Sequence, residues 1–368
     1  GSHGSWFRPI SSPSKETPLK AITVLPGTSG SAQLNDFADP PESDGTVLVD
    51  TVAVGICGTD LEIAGGDYGW APPGHERLVL GHESIGRVAE APAGSGLAEG
   101  DYVVGIVRRP DPVPCYSCAV GEWDFCRNGQ YTEHGIKSLD GFMREHYRAA
   151  PDAVVKVDAA LGPLGVLLEP TSVVAKAWEQ AERAGNRAHW QPGRAVITGA
   201  GPIGLLAAML GVQRGMEVHV IDQVTSGLKP DLVAALGATY HTGKVEDACA
   251  SPDVIIECTG VGSLVFDAID HVASGGVVCL TGVSPTGRNL QIDAGMTNRE
   301  MVLQNECIVG SVNANRRHYE AAAEGLAKAD KSWLVKLITR RVPMEDFASA
   351  LTRQPDDVKV VIEIGSAG

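Results

Sequence analysis

Ala195-Val196-Ile197-Thr198-Gly199-Ala200-Gly201-Pro202-Ile203-Gly204 joins an apolar, strand-like run to a GxGxxG turn, and an apolar segment with helical spacing follows it. A GxGxxG pattern alone is a weak signal and is also compatible with a plain glycine-rich turn. A strand before it and a helix after it favour a dinucleotide-binding turn. The glycines permit the tight turn, the approach of a pyrophosphate and the packing of helix on strand. The helix N-terminus offers free N–H groups to phosphates. The candidate cofactor-binding residues are Gly199, Gly201, Pro202, Ile203 and Gly204.

The next predicted strand, Glu217–Ile221, ends at Asp222, 23 residues after Gly199. An acidic residue at this place accepts hydrogen bonds from a ribose 2′-hydroxyl and repels a 2′-phosphate. The three residues that follow Asp222 include no Lys or Arg. We therefore expect NAD to be preferred over NADP.

Strands and helices alternate on both sides of this turn, which predicts an α/β domain with a doubly wound parallel sheet over residues 171–311. Residues 18–170 hold short strands separated by Gly and Pro, which predicts a barrel-like β domain. The C-terminal part, 312–368, ends in a strand-like run that we expect to return to the first domain. Gly1-Ser2-His3 resembles a tag remnant, so residues 1–17 are expected to lie outside the folded domains.

The composition is that of a globular protein, with 43% hydrophobic and 20% charged residues among 368 and a formal net charge of −15. No long basic run is present, which argues against a nucleic-acid partner. No apolar run reaches the roughly 20 residues of a membrane span, and no signal-peptide pattern is visible. We expect a cytoplasmic protein that does not bind membranes.

The chain contains eight cysteines, and three of them cluster as Cys115, Cys118 and Cys126. In a chain without a secretion signal, clustered cysteines indicate metal ligands more often than disulfides. Another cysteine, Cys57, lies in the turn Gly55-Ile56-Cys57-Gly58-Thr59-Asp60. His82-Glu83 follows 25 residues later, and Glu169-Pro170 lies near the predicted domain junction. A catalytic zinc takes about three such ligands and keeps one position open.

These residues resemble the zinc-dependent medium-chain dehydrogenase/reductase family over almost the whole chain from Leu19. The resemblance implies a GroES-like catalytic domain followed by a Rossmann domain. It implies that Cys57, His82 and Glu169 bind the catalytic zinc and that Glu83 neighbours the metal. It further implies that Asp60 orients His82 and that the hydroxyl of Thr59 relays the substrate proton.

Within this family the chain is most similar to the archaeal-type glucose dehydrogenases. The similarity lies in Val107-Arg108-Arg109-Pro110, Gly121-Glu122-Trp123-Asp124-Phe125-Cys126 and Gly141-Phe142-Met143-Arg144-Glu145. It implies that Glu133, Asn313 and His318 contact the substrate. It also implies a homodimer or homotetramer.

The sequence departs from that pattern in two places. Val107 stands where the glucose enzymes often carry an Asn that contacts the sugar. The structural-zinc lobe lacks its first Cys, and Asp111 near that place could supply an oxygen to Cys115, Cys118 and Cys126; a lobe without metal is the alternative.

We expect zinc-dependent, NAD-linked oxidation of a hydroxyl on a sugar or sugar-like polyol, similar to glucose (aldose) 1-dehydrogenation. A dehydrogenase for a cyclitol, an amino-sugar or another secondary alcohol is the first alternative. A non-catalytic nucleotide-binding protein on the same fold is the second, because a fold does not by itself define a function.

Overall fold

A computed structural model describes residues 18–285 and 287–365. The expectation that residues 1–17 are a tag lies outside the described residues.

The second half of the chain contains a six-stranded parallel sheet. Its first strand by sequence, Arg194–Thr198, is central and pairs with both the second and the fourth strand. In spatial order the strands are Thr239–His241, Glu217–Ile221, Arg194–Thr198, Val254–Glu257, Val277–Leu280 and Cys307–Gly310. The order reverses beside Arg194–Thr198, and in such sheets ligands bind in the crevice at the carboxyl ends of the strands at this point. The predicted doubly wound fold is confirmed.

Helices cover both faces of this sheet. They are Leu168–Gly185, Pro202–Gln213, Leu228–Ala235, Val245–Ala248, Gly262–His271, Ala294–Gln304, Arg316–Lys328 and Lys331–Leu337. The helix Leu168–Gly185 is amphipathic and buries Trp178, whose indole N–H donates to the carbonyl of Ala207 at 3.0 Å. This bond fixes the helix against Pro202–Gln213, the helix that follows the glycine-rich turn.

The other domain is built on a seven-stranded sheet. Its path is Val154–Lys156, Tyr102–Gly105, Glu83–Glu90, Val47–Ile56, Lys359–Glu363 and Ile338–Pro343, with His146–Ala149 also paired to Val47–Ile56. The two smaller sheets are Gln33–Phe37 with Leu19–Val24 and Leu78–Val79, and Arg108–Arg109 with Thr132–His134 and Ser138–Leu139. The short helices of this first domain are Gly58–Gly65, Tyr116–Ala119 and Phe347–Ala350.

The last strand, Lys359–Glu363, pairs antiparallel with Val47–Ile56 in this first-domain sheet. One apolar core runs from this domain, through the helix Leu168–Gly185, into the parallel sheet. The two domains therefore share packed surface. No helix within the described ranges is long and apolar enough to cross a membrane.

Candidate active site between the two domains

The glycine-rich turn has the geometry that a nucleotide phosphate needs. Gly199 has φ +91°, and a Cβ on Gly204 would lie 1.8 Å from the carbonyl oxygen of Gly199. Only glycine fits at either position, so the helix starts close to the strand. Pro202 occupies the first turn of that helix, where its missing N–H costs no hydrogen bond.

Asp222 lies beside this turn, and its Oδ2 accepts a hydrogen bond from the N–H of Ala200 at 2.6 Å. Lys229, from the next helix, places its Nζ 3.3 Å from the same oxygen. Burial raises the pKa of Asp222. The backbone N–H groups of Ala200 and Val224 and the charge of Lys229 lower it by more, so the pKa lies below its ordinary value and Asp222 is a carboxylate. The three residues directly after Asp222 carry no cation, as the sequence shows, but Lys229, seven positions further on, brings one to its carboxylate.

The candidate metal ligands Cys57 and His82 meet at one end of the large sheet of the first domain. Cys57 Sγ lies 3.0 Å from His82 Nε2, and an oxygen of Glu83 lies within 4.8 Å of both. The register explains the approach, because Gly55 pairs with Glu83 across the two strands that carry these residues. A Cys, a His and a carboxylate at this spacing form a set of donors that suits zinc.

Asp60 contacts both candidate ligands. Cys57 caps the helix Gly58–Gly65, and its backbone N–H donates to Asp60 Oδ2 at 2.9 Å. Asp60 Oδ1 lies 3.4 Å from His82 Nδ1, and both residues are buried. The ring nitrogen away from Asp60 therefore faces Cys57, which is the arrangement that orients a histidine toward a metal.

Gly81 makes the turn before His82 possible. Its φ is +90°, and a Cβ there would lie 2.5 Å from the side chain of Met143. Any larger residue would both strain the backbone and push the turn away from Cys57.

Two carboxylates, those of Glu83 and Glu169, are candidates for the third metal ligand beside Cys57 and His82. Glu83 forms a buried ion pair with Lys359, whose Nζ donates to its Oε1 at 2.8 Å. Glu169, in the first turn of Leu168–Gly185, is not in the set whose donor atoms all lie within 4.8 Å of one another. Across the part of the chain that the structure describes, no hydrogen bond reaches its carboxylate. Burial raises the pKa of Glu169 to about 7, with His82 opposing and Glu83 adding to the shift.

A cleft of about 740 Å³ connects this cluster to the nucleotide turn. Cys57 and Glu83 line one end, and Gly199, Gly201 and Asp222 line the other. A dinucleotide that binds at the turn can therefore extend toward Cys57 within a single cavity.

Glu133 lies in a buried network at the domain boundary. Its Oε1 accepts hydrogen bonds from Arg108 Nε at 3.0 Å and from Asn313 Nδ2 at 2.8 Å, and Arg108 Nη2 lies 2.9 Å away. Asn313 has φ +61°, so its backbone is held in an uncommon conformation. Glu133 Oε2 has no hydrogen-bond donor within residues 18–285 and 287–365, so one oxygen stays available to a ligand.

His318 is placed differently from the expectation. Its Nδ1 accepts from the N–H of Asn315 at 2.9 Å, and its Nε2 lies 3.1 Å from Glu179 Oε2. The side chain is 1% exposed, and it caps the helix Arg316–Lys328. Burial lowers the pKa of His318, and Glu179 opposes that shift. Both nitrogens are occupied by the protein, so the geometry gives this residue a structural part and no free atom for a substrate.

The three clustered cysteines come together as a second set of potential ligands. The sulfur atoms of Cys115, Cys118 and Cys126 all lie within 4.8 Å of one another. The backbone N–H groups of Arg127 and Cys118 lower the pKa of Cys115 to about 6. Asp111 is 3% exposed and places Oδ2 3.9 Å from Cys126 Sγ, while its Oδ1 accepts from Val113 N–H at 2.8 Å. Asp111 is not in the set whose donor atoms all lie within 4.8 Å of one another, although its Oδ2 lies beside one of the three sulfur atoms. Three thiolates and one carboxylate are a donor set that a closed zinc site can use.

Sequence reasoning missed three charged residues that line the cleft: Lys229, Arg353 and Lys359. No local motif marks them. Arg353 and Lys359 belong to the C-terminal segment, and only the return of that segment to the first domain brings them to the cleft.

Two protein-family models match this chain. Residues 43–159 match the alcohol dehydrogenase GroES-like domain, and residues 162–364 match the glucose dehydrogenase C-terminus. The chain belongs to the zinc-dependent medium-chain dehydrogenase/reductase family, as the sequence predicted.

Individual proteins of known name are similar to this chain over nearly its whole length. The chain is 37% identical over 359 residues to a glucose 1-dehydrogenase of Methanocella arvoryzae, with 95% of this chain and 100% of the relative covered. It is 40% identical over 354 residues to glucose 1-dehydrogenase 2 of Vulcanisaeta moutnovskia, covering 94% and 99%. The solved structure of Haloferax mediterranei glucose dehydrogenase in complex with NADP, Zn and gluconolactone superimposes with a TM-score of 0.86 at 32% identity, covering 94% and 99%.

Proposed function

We propose that this protein oxidises the C1 hydroxyl of glucose or a closely related aldose with a nicotinamide dinucleotide, in a zinc-dependent reaction. The observation that carries the proposal is the 3.0 Å approach of Cys57 Sγ and His82 Nε2 at one end of a cleft whose other end is the dinucleotide turn. Relatives named for glucose oxidation over nearly the full length support the substrate class.

Cys57, His82 and Glu169 would hold the catalytic zinc. Lys359 neutralises Glu83, whereas Glu169 has no hydrogen-bond partner for its carboxylate in the described chain. Zinc in such a site supplies Lewis acidity that lowers the pKa of a substrate hydroxyl. Asp60 keeps the His82 ring turned toward Cys57, and the hydroxyl of Thr59, two residues after Cys57, passes the substrate proton outward.

Glu133 would bind a further sugar hydroxyl through its free Oε2. Arg108 and Asn313 both bond to Oε1, which fixes the carboxylate and leaves the second oxygen as an acceptor. A buried, pre-oriented acceptor of this kind distinguishes a polyol from a simple alcohol, because an alcohol without the second hydroxyl leaves it unpaired.

For the cofactor we propose NAD as the preferred dinucleotide. Asp222 faces the position of the adenosine ribose and is ionised, so it accepts from a 2′-hydroxyl. Lys229 next to it reduces the repulsion of a 2′-phosphate, so NADP is a weaker substrate rather than an excluded one.

Initial rates with aldoses, cyclitols, amino-sugars and simple alcohols, each with NAD and with NADP, test the proposal when zinc is determined on the same sample. Turnover of glucose or an epimer by zinc-loaded protein is the expected result. Nucleotide binding without turnover of any hydroxyl compound would favour the non-catalytic alternative.

A cyclitol, amino-sugar or other secondary alcohol is the second candidate substrate, and Val107 is the observation that favours it. Its side chain is 2% exposed, and its backbone N–H donates to the hydroxyl of Tyr319 at 3.2 Å. Val107 thus adds no polar side-chain atom for a sugar. Turnover of such a compound with no turnover of glucose would select this candidate.

We further propose a homo-oligomer built on the end strand Cys307–Gly310. This strand closes one end of the parallel sheet. Exposed apolar side chains lie in the preceding segment, namely Leu290, Ile292, Met296, Val302 and Leu303. Two copies that pair these strands across a two-fold axis would cover both features. Light scattering on purified protein tests it: a monomer at micromolar concentration would contradict it.

A further inference from the structure

Lys176 is a buried lysine on the helix that also carries Glu169. The two residues are seven positions apart in Leu168–Gly185, or about two turns, and therefore lie on the same face of the helix. Burial of an ammonium costs free energy unless the protein replaces the lost water with hydrogen bonds and an opposite charge. The partners of Lys176 therefore indicate why a lysine is needed at this position.

Three groups surround the ammonium. Its Nζ lies 2.9 Å from Asp124 Oδ2, and the two side chains are 2% and 0% exposed. Nζ also donates to the carbonyl of Val312 at 3.0 Å. The third neighbour is the ring of Phe125, with Nζ 4.3 Å from its centroid. Lys176 thus connects Asp124, in the first domain, to the segment that precedes the helix Arg316–Lys328.

Asp124 lies next to one of the two donors of Glu133. Arg108 donates through Nη1 to the backbone carbonyl of Asp124 at 3.4 Å, and through Nε to Glu133 Oε1 at 3.0 Å. The carboxylate of Asp124 faces Lys176 on its other side. The place of Arg108 therefore depends on where Lys176 holds Asp124.

Val312 lies next to the other donor. Its carbonyl belongs to the peptide group that precedes Asn313, so the hydrogen bond from Lys176 fixes the plane from which the φ angle of Asn313 is measured. That angle is +61°, which is uncommon for a residue other than glycine. In this conformation Asn313 Nδ2 donates to Glu133 Oε1 at 2.8 Å.

We propose that Lys176 is a positioning residue for substrate selection. It holds both donors of Glu133 Oε1 in place, one through Asp124 and one through Val312. Oε2 is then left, with a fixed direction, to accept a hydrogen bond from a sugar hydroxyl. This inference rests on the proposed function, in which Glu133 binds a hydroxyl of an aldose. Stability alone does not account for the pair of Lys176 and Asp124, because apolar residues often replace a buried ion pair without loss.

The kcat/KM values for glucose and for each of its monodeoxy analogues test the proposal on zinc-loaded protein. Glu133→Gln identifies the analogue that lacks the hydroxyl bound by Glu133, because the preference for glucose over that analogue falls most in this variant. Lys176→Met should reduce the preference over the same analogue by at least about tenfold, the scale of one hydrogen bond to a charged group. The Kd for NADH should stay within about twofold.

Lys176→Met/Asp124→Asn separates positioning from stability, because it leaves neither charge buried without its partner. Its melting temperature should lie closer to that of wild type than the melting temperature of Lys176→Met does, while its preference stays reduced. The double variant also carries the test if Lys176→Met does not fold. Arg317→Met is the matched control. It removes an ion pair between Arg317 and Glu179, three positions after Lys176, and should leave the preference unchanged.

A preference that recovers together with stability in the double variant would overturn the inference, since the loss in Lys176→Met would then come from instability. An unchanged preference in folded Lys176→Met, with wild type selective, would overturn this inference alone. Equal kcat/KM values of wild type for glucose and every analogue would overturn it as well, because Glu133 would then select no hydroxyl. If wild type oxidised no aldose, the proposed function would fail with it.

Discussion

Lys359 and Glu83, 276 positions apart in the sequence, form an ion pair in which both side chains are nearly inaccessible, at 1% and 2% exposure. Lys359 also donates to the carbonyl of Ile56, the residue before Cys57. Burial lowers the pKa of Lys359, but Glu83 and Cys57 raise it by more. The pKa therefore lies above its ordinary value, and the amine stays protonated. The last strand of the chain thus delivers a fixed positive charge to the candidate zinc ligands.

Lys359→Met should destabilise the protein by about 3–5 kcal/mol, because it leaves the Glu83 carboxylate buried without its partner. Urea denaturation monitored by circular dichroism measures the free energy of unfolding. The double variant Lys359→Met/Glu83→Gln should be more stable than the sum of the two single losses predicts. Strictly additive losses would show that the pair is not coupled.

Cys57→Ser and His82→Ala should each reduce kcat below one-thousandth of the wild-type value, roughly the loss expected when an essential charge-stabilising group is removed. The nucleotide turn lies at the other end of the cleft, so the Kd for NADH should stay within about twofold, on the scale of surface changes. Elemental analysis should show the loss of one zinc per chain. Full activity in zinc-free Cys57→Ser protein would refute a catalytic role for the metal.

Asp60→Asn should weaken zinc binding at Cys57 and His82 by about 10–100-fold, as changes behind a metal ligand do. Asn cannot accept from the Cys57 N–H and also carry the negative charge that faces His82. Competition with a chromogenic chelator measures the zinc affinity, and the melting temperature controls for unfolding. A normal affinity in a folded variant would mean that Asp60 serves the helix cap alone.

Asp222→Ser should shift the ratio of kcat/KM values from NAD toward NADP by at least about tenfold. The substitution removes the charge that repels a 2′-phosphate and leaves Lys229 without an intramolecular partner. Lys229→Ala in the same background should cancel most of that shift. Steady-state kinetics with both dinucleotides measures it, and an unchanged ratio would show that Asp222 does not discriminate.

The parts of this molecule that local sequence dictates were predictable. The GxGxxG turn fixes its own strand and helix through glycine conformation, and the Cys57 turn meets His82 because their strands are paired neighbours. The strands Thr239–His241 and Cys307–Gly310, neither of which contains a fully buried residue, were not predicted. His318 shows a further limit of prediction from sequence. Asn315 and His318 have the spacing of a capping box, and the His318 ring is hydrogen-bonded within the helix N-terminus and not free to contact a substrate there.

Charged groups recruited across the fold were not predictable. Lys359 and Arg353 lie in a segment without a motif, and their positions depend on the pairing of the last strand with Val47–Ile56. Lys229 reaches Asp222 because a helix follows the strand after a short loop. Motifs identify residues that bind through backbone geometry or metal chemistry, whereas electrostatic partners depend on the tertiary fold.

Asp111→Ala tests whether the three-cysteine lobe binds a metal with a carboxylate as fourth ligand. Its Oδ1 already accepts from Val113 N–H, so Oδ2 faces Cys126 with a fixed direction. If the lobe binds zinc, wild type should contain two zinc ions per chain and Cys118→Ser should contain one. Asp111→Ala should contain two zinc ions, and it should lose one of them to a chelator faster than wild type does. Asp111→Asn, which keeps an oxygen and the Val113 bond, should retain the second zinc better than Asp111→Ala. Two tightly held zinc ions in Asp111→Ala would exclude Asp111 as a ligand. A single zinc in wild type that Cys118→Ser retains would exclude the lobe as a metal site.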